Sequence, residues 1–388
     1  NFKSIDSLEV TGLPPFTVFA GPNGSGKSNF FDALDFVSLF IRNGLETALR
    51  AHGGFSNIHS EKHREKNSRE FDFEIEYDTP EKMPGSGENI ALPHHYILGI
   101  QDLEDVPKIE EELHTGNVLI YSRKKGESPK FAGKYDYFEK PTDHSPPILG
   151  KHQYIDQFIA TYSSLLLSPN IAFTKLLSNI NLYRIDPIGA KQPSQSDYDP
   201  TKLDRSGHNL ASVLGRMEAN SDMRETILDW MEMIAPGIEK IETQQQALDG
   251  RTALVFKEQG TGRPFPAHMI SDGTIYALCL LVAVLDSTSN YGMTLIEEPE
   301  RGLHPKAIRE IIDLMRQQAS PENPIWLTTH SESVVRALKL DELVLVDKVD
   351  GRTRMKRANS GNLTHKDLAP LGLDEAWLSN LFGSGLPW

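Results

Sequence analysis

The chain has 388 residues, 24% of them charged and 38% hydrophobic, and a formal net charge of −14, which is the balance of an ordinary folded protein of one or two domains. The acidic excess argues against broad nonspecific nucleic-acid binding. No apolar run approaches the roughly 18 residues of a membrane span, no signal peptide is visible, and the one cysteine, Cys279, excludes an internal disulfide and points to a reducing cytoplasm.

Residues 7–13 and 15–20 read as two strands joined by a turn around Gly12 to Pro14. The next eight residues, Gly21-Pro22-Asn23-Gly24-Ser25-Gly26-Lys27-Ser28, fit the phosphate-binding P-loop pattern G-x-x-x-x-G-K-[ST]. Gly24 and Gly26 let backbone N–H groups turn toward phosphate oxygens without a Cβ in the way. After Asn29 the apolar residues Phe30, Leu34 and Val37 fall at helical spacing, so a helix covers 29–39. Its N-terminal N–H groups and positive dipole end face the same anion. Strand, glycine loop and helix form the context that separates a working P-loop from a chance match. In it, Lys27 reaches the β- and γ-phosphates and the Ser28 hydroxyl ligates Mg²⁺.

Asn43-Gly44 interrupts the helix, residues 45–51 continue it, and His52-Gly53-Gly54 breaks it. Residues 61–70 form a solvated charged loop. Residues 71–77 alternate strictly and predict a strand with one buried face. Residues 79–87 read as a loop and 95–100 as a further strand. Residues 118–122 and 130–138 predict a hairpin. Residues 121–151 carry seven Lys/Arg against four Asp/Glu, interleaved with Tyr121, Phe131, Tyr135, Tyr137 and Phe138. This pattern suits either a nucleic acid or aromatics packed on a sheet. Helices are predicted over 154–167 and 171–177, then a loop over 191–201.

Two helices, 209–217 and 223–234, lead to a hairpin of 238–244 with 252–258 around Asp249-Gly250. Ser271-Asp272-Gly273-Thr274 opens an apolar helix over 275–285, with Ser271 or Asp272 as its cap. Residues 293–296 are a β-prone run that ends in Glu297-Glu298. Two carboxylates at the end of a buried strand need cations or water beside them. In a P-loop protein the first binds Mg²⁺ and the second polarises the attacking water, which assigns Glu297 to the metal and Glu298 to the water. A helix over 304–318 with Pro305 in its first turn precedes a strand, 325–329, ending at His330.

Taken in order, the P-loop, Ser271-Asp272-Gly273-Thr274, Ile296-Glu297-Glu298-Pro299-Glu300, Gly302-Leu303-His304-Pro305 and Thr328-Thr329-His330-Ser331 resemble the ABC-type ATPases of the RecF/SMC group. Among these the chain is most similar to standalone bacterial ATPases often described as AAA family ATPases. Asn1-Phe2-Lys3-Ser4 and Gly207-His208-Asn209-Leu210-Ala211 resemble the same group. The resemblance implies an α/β P-loop NTPase: an ABC-ATPase head with a mixed-sheet lobe, a helical lobe and an inserted segment. Residues 1–100 would form the N-terminal part, 101–203 an insertion or partner-binding region, and 204–388 the C-terminal part.

The resemblance further implies that ATP and Mg²⁺ are sandwiched in a homodimer or higher oligomer. Asn23, Gly24, Ser25, Gly26, Lys27, Ser28 and Asn29 of one protomer would face Ser271, Asp272 and Gly273 of the other. Ser28 and Glu297 would hold the metal, while Glu298, His330 and Lys27 would carry catalysis, with residues 300–304 at the dimer interface. Two departures stand out. Glu297 replaces the usual Asp, and no glutamine is firmly placed as the Q-loop residue, Gln101 being the nearest candidate. The absence of a sustained heptad argues against a long coiled-coil arm.

Three functions follow. The first is a cytoplasmic ATPase switch that controls a separate effector, a nuclease in bacterial anti-phage defence, since no nuclease motif follows the ATPase motifs. The second is a RecF-like DNA-repair clamp, and the third a nonhydrolysing nucleotide sensor. Trp377, Leu378, Leu381, Phe382 and Trp388 near the end of the chain would serve either a partner surface or the head's own core.

Overall fold

The computed structural model describes residues 1–59, 69–82, 89–103, 106–127, 129–131, 162–167, 172–195, 201–287, 291–361, 368 and 371–386. The chain divides into two units. One gathers residues 1–8, 29–180 and 350–353, and the other 9–28, 181–349 and 354–388.

β1 (Phe16–Ala20), buried at all five positions, belongs to the second unit and leads through the P-loop to α1 (Lys27–Asn43). Residues 7–13, expected as a strand, form none. They bury no face, Gly12 is left-handed at φ +64°, and Pro14 and Pro15 have no N–H to give a ladder.

In the first unit α1 buries Phe31, Phe36, Val37, Phe40 and Ile41. Gly44, at φ +82°, separates it from α2 (Leu45–Ala51), and Gly54, at φ +89°, precedes α3 (Phe55–Ile58). β2 (Glu70–Lys82), β3 (Asn89–Leu103), β4 (Val106–Thr115), β5 (Val118–Arg123) and β6 (Lys130–Phe131) follow as an antiparallel meander. β2 runs on through residues 79–82, which the sequence suggested were loop, because β3 pairs with it as far as Lys82↔Asn89. One face of the sheet meets Phe2, whose ring stands edge-on to Phe36 and Phe71 at 6.0 and 5.8 Å.

The buried Glu111 carboxylate organises the far side of this unit. It accepts from Tyr96 Oη at 2.9 Å, Ser163 Oγ at 2.6 Å, and Ser164 N and Oγ at 2.9 Å each. Arg123 Nη1 lies 3.4 Å away and also donates to the Tyr162 carbonyl at 3.0 Å. These bonds hold residues 162–165 on the sheet. Residues 164–167 therefore form a 3-10 turn where the sequence suggested a continuous helix from 154, and residues 154–161 lie outside the described residues. α4 (Ala172–Ser178) closes the unit.

The second unit is built on a six-stranded sheet ordered β14-β13-β1-β12-β11-β7. β7 is Ile180–Tyr183. After it come α5 (Pro187–Ala190), α6 (Leu210–Met217), α7 (Ser221–Ile234) and the small sheet of β8 (Ile238–Gln245), β9 (Thr252–Glu258) and β10 (Phe265–Pro266). α8 (Asp272–Ser287) leads to β11 (Met293–Glu297), α9 (Pro305–Gln318), β12 (Ile325–Thr329), α10 (Glu332–Arg336), β13 (Leu343–Val349), β14 (Arg352–Arg357) and α11 (Leu373–Leu378). β1 pairs in parallel with both β12 and β13, and β12 with β11. The fold is thus a mixed α/β P-loop fold.

α8 is apolar all round and every residue from Ile275 to Leu285 is buried, Cys279 included, as a helix packed on all sides must be. It packs against α5, α6, α7 and α9. Trp377 and Phe382 join this core, and the Trp377 indole donates to the Gly385 carbonyl. Leu381 stays 48% exposed, and Trp388 lies outside the described residues. No described helix is long and apolar enough to cross a membrane.

Removing a carboxylate that satisfies four donors and an arginine leaves an uncompensated buried cation. Glu111→Ala should lower unfolding stability by about 3 kcal/mol, read as a drop in urea midpoint, whereas Glu112→Ala on the same strand should change it little.

Candidate functional site

Parallel pairing delivers the carboxyl ends of β1, β11, β12 and β13 to one edge of the sheet, where the loops that follow them carry the polar motifs. The Gly21 N–H donates to the Thr329 carbonyl at 3.3 Å, which ties the start of the P-loop to the end of β12. A Cβ on Gly21 would sit 2.0 Å from the Val346 carbonyl of β13, so only glycine lets the loop leave the sheet here. Gly24 and Gly26 take φ +77° and +104°, a conformation that side chains disfavour. Asn23, Gly24 and Ser28 are exposed, and Ser25 and Gly26 are buried. Asn29, counted with the other unit, gives its side-chain amide to Ser4 Oγ at 2.7 Å.

Lys27 lies back over its own loop. Its Nζ donates to the carbonyls of Gly21 and Pro22 at 2.7 and 2.8 Å. Burial pushes the ammonium below its ordinary pKa, and Glu298, Glu300 and Glu297 pull it back up. The P-loop lysine and the three carboxylates therefore share one electrostatic neighbourhood.

β11 ends in that neighbourhood. Glu297 accepts from Arg184 Nη2 at 2.7 Å. Glu298 has a left-handed backbone, φ +51°, which is uncommon for a residue with a Cβ. Two bonds hold it there: Glu298 N donates to the Thr328 carbonyl at 2.9 Å, and Tyr276 Oη donates to the Glu298 carbonyl at 2.8 Å. The tight turn aims the side chain at His330, whose Nδ1 is 3.4 Å from Glu298 Oε1. Glu300, almost buried, accepts from Thr329 Oγ1 at 2.6 Å and from the His330 N–H at 3.4 Å. Burial raises its pKa above the ordinary 4.5.

Ser271, Asp272 and Gly273 open α8. Ser271 Oγ caps the helix by accepting from the Thr274 N–H at 3.1 Å, and Asp272 is paired with Lys191. A Cβ on Gly273 would lie 2.4 Å from the Gly302 carbonyl. These three residues meet Thr274, Lys191 and Gly302. Lys27, Glu297, Glu298 and His330 lie in one neighbourhood.

Arg184, Tyr276 and Thr329 were not read from the sequence as site residues. A signal existed for the first: acids at a strand end call for a cation, and Arg184 directly follows the short apolar run that forms β7.

The residues suit Mg²⁺ and a nucleotide. The glycine turn leaves room for phosphate oxygens to approach backbone N–H groups, and the Ser28 hydroxyl and Glu297 carboxylate are the hard oxygen donors that Mg²⁺ prefers.

The chain matches the family described as "AAA domain, putative AbiEii toxin, Type IV TA system" over residues 16–82 and 129–336. No curated protein matches it. Among solved structures it is similar to an SMC head bound to the C-terminal winged-helix domain of ScpA, at 12% identity over 92% of this chain and 94% of that one, TM-score 0.49. It is also similar to the SMC head domain from Thermotoga maritima, at 14% identity over 92% and 95%, TM-score 0.39. A third likeness is to an SMC head with an extended coiled coil bound to the C-terminal domain of ScpA derived from Pyrococcus furiosus, at 14% identity over 92% and 93%, TM-score 0.43.

Two outcomes follow from the geometry. Gly21→Ala should cost about 1–3 kcal/mol by forcing the loop off β13, seen as a lower melting temperature, and should abolish nucleotide binding by calorimetry. A buried carboxylate with a raised pKa favours the fold in its protonated form, so its contribution is present below the unfolded pKa and lost as pH rises through the folded one. Glu300→Gln should therefore raise the melting temperature at pH 7, and that advantage should shrink as pH falls through the raised folded pKa and be gone below 4.5.

Proposed function

The chain belongs to the AAA domain family of AbiEii type, and from that premise we propose that it binds and hydrolyses ATP as a dimeric switch regulating a partner effector, a nuclease in bacterial anti-phage defence. One observation carries the catalytic part of the reading. The P-loop lysine, the Glu297-Glu298 pair and His330 converge at the carboxyl edge of a parallel sheet, with Glu298 held 3.4 Å from His330 by a strained turn.

In this reading Lys27 and the loop N–H groups balance the triphosphate charge. Ser28 and Glu297 hold Mg²⁺, which when bound neutralises charge on the phosphate oxygens. Glu298 orients a water in line with the γ-phosphate and accepts its proton, and His330 hydrogen-bonds across the same space. Asn23, Gly24, Ser25 and Gly26 shape the phosphate cradle. Ser271, Asp272 and Gly273 of a second copy supply the facing surface, an assignment supported by the exposure of Ser271 and Asp272. The effector would meet a segment within residues 101–203, which carries none of the ATPase motifs.

The competing reading as a DNA clamp loses one of its supports. Tyr121 is fully buried and so not open to a stacking base, while Tyr135, Tyr137 and Phe138 lie outside the described residues.

Glu298→Gln should reduce turnover roughly 10²- to 10⁴-fold while ATP binding persists, and should accumulate an ATP-bound dimer visible by native mass spectrometry. Turnover per subunit in the unaltered protein should fall on dilution. Turnover that stays flat at concentrations where only monomer is present would remove the sandwich. Co-purification of a nuclease-like protein expressed from a neighbouring gene tests the effector part separately.

A further inference from the structure

The site contains a cation that the proposed reaction does not use. Arg184 Nη2 donates to Glu297 Oε1 at 2.7 Å. The Arg184 side chain is 36% exposed and that of Glu297 15%, so the pair is half sheltered and screened less than a surface pair. Its two ends are fixed by the fold. β7 is the neighbour of β11 in the sheet, Glu297 is the last residue of β11, and Arg184 is the first residue after β7. The Arg184 N–H donates to the Arg205 carbonyl at 2.8 Å, which anchors the backbone at that point. Adjacent strand ends thus set a permanent positive charge on one oxygen of the carboxylate assigned to the metal.

We propose that Arg184 makes Mg²⁺ binding contingent on the nucleotide. This rests on the reading of Glu297 as the metal carboxylate. A guanidinium never gives up its proton at physiological pH, so it opposes a second cation at Glu297 at all times. Lys27 adds to that opposition, for its ammonium also feels Glu297. With one carboxylate oxygen occupied and a like charge beside it, Mg²⁺ alone binds weakly. A triphosphate brings enough negative charge to reverse the balance. After hydrolysis, when that charge is divided, Arg184 favours release of the metal with the product. Arg184 touches neither nucleotide nor water in this scheme and is a positioning and tuning residue.

The test is a titration of the full chain with Mg²⁺ alone, and with Mg²⁺ plus a nonhydrolysable ATP analogue, followed by calorimetry. Arg184→Gln removes the charge, and Arg184→Lys keeps it while losing the planar donor geometry. The expected result is that Arg184→Gln binds Mg²⁺ without nucleotide roughly three- to tenfold more tightly than the unaltered protein, with a smaller further gain when the analogue is added. Arg184→Lys should stay within about twofold of the unaltered protein, because the charge and not the hydrogen-bond geometry sets the effect. Melting curves of the two variants confirm folding, and Arg184→Lys is the control should the glutamine variant unfold. Weaker or unchanged Mg²⁺ binding in a folded Arg184→Gln overturns the inference, as does a lysine variant that behaves like the glutamine one. Glu297→Gln separates this from the underlying reading. If it weakens Mg²⁺ binding while Arg184→Gln leaves it unchanged, only the inference falls. If Glu297→Gln leaves Mg²⁺ binding intact, the metal assignment falls and the inference with it.

Discussion

The registration of β1 between β12 and β13 is the constraint on which the rest of the site depends. β1 is buried along its whole length, and both neighbours run parallel to it. A buried parallel strand satisfies its backbone only if its partners are in register to the end. β1 and β12 therefore end level with each other, at Ala20 and Thr329, while β13 runs on beside the loop that follows β1. The Gly21 N–H bonded to Thr329 extends the ladder one step past β1. The Val346 carbonyl then stands so close that the chain turns away only through a residue without a side chain. The phosphate loop begins where the sheet runs out of room.

The same edge concentrates charge. Three carboxylates, from Glu297, Glu298 and Glu300, arrive within reach of Lys27 and Arg184. Backbone geometry assigns them different surroundings. Glu297, still in the ladder opposite Thr328, points at an arginine. Glu298 adopts a left-handed turn that costs roughly 1–2 kcal/mol, and two hydrogen bonds to its backbone offset that cost. Glu300 folds inward onto Thr329 and is nearly buried. One short acidic stretch thereby becomes a carboxylate paired with an arginine, a half-buried one facing His330 and a sheltered one. Tyr276 belongs to this arrangement: it stands one turn into α8, so the first buried turn of that helix is joined directly to the turn that aims Glu298.

What the sequence discloses here is what is local. The P-loop pattern, the alternation of residues 71–77, the apolar block of α8 and the acid pair at the end of β11 each declare themselves within a few residues, and the structure has them as loop, strand, helix and strand end. The charge partner of Glu297 is not local. Arg184 precedes it by more than a hundred positions and meets it only because β7 lies beside β11, an adjacency that no window of sequence contains. Tyr276 is hidden for the opposite reason: in an unbroken run of buried apolar residues a tyrosine reads as more core. Residues 7–13 misled because β-prone residues alone do not make a strand without a face to bury or a neighbour to pair with. Residues 79–82 misled because the length of β2 is decided by β3.

The contact between Gly273 and the Gly302 carbonyl carries a lesson about descent. One glycine is at φ +71°, the other has no room for a Cβ, and they face each other across a gap that no methyl group enters. Neither position drifts alone, because a substitution at 273 displaces the carbonyl that 302 supplies, and a substitution at 302 strains the turn that keeps that carbonyl clear. Two positions on either side of β11 thereby constrain one another. In distant relatives, where overall identity has faded, this glycine pair should outlast most of the core around it and mark which chains share the same junction between helix and turn.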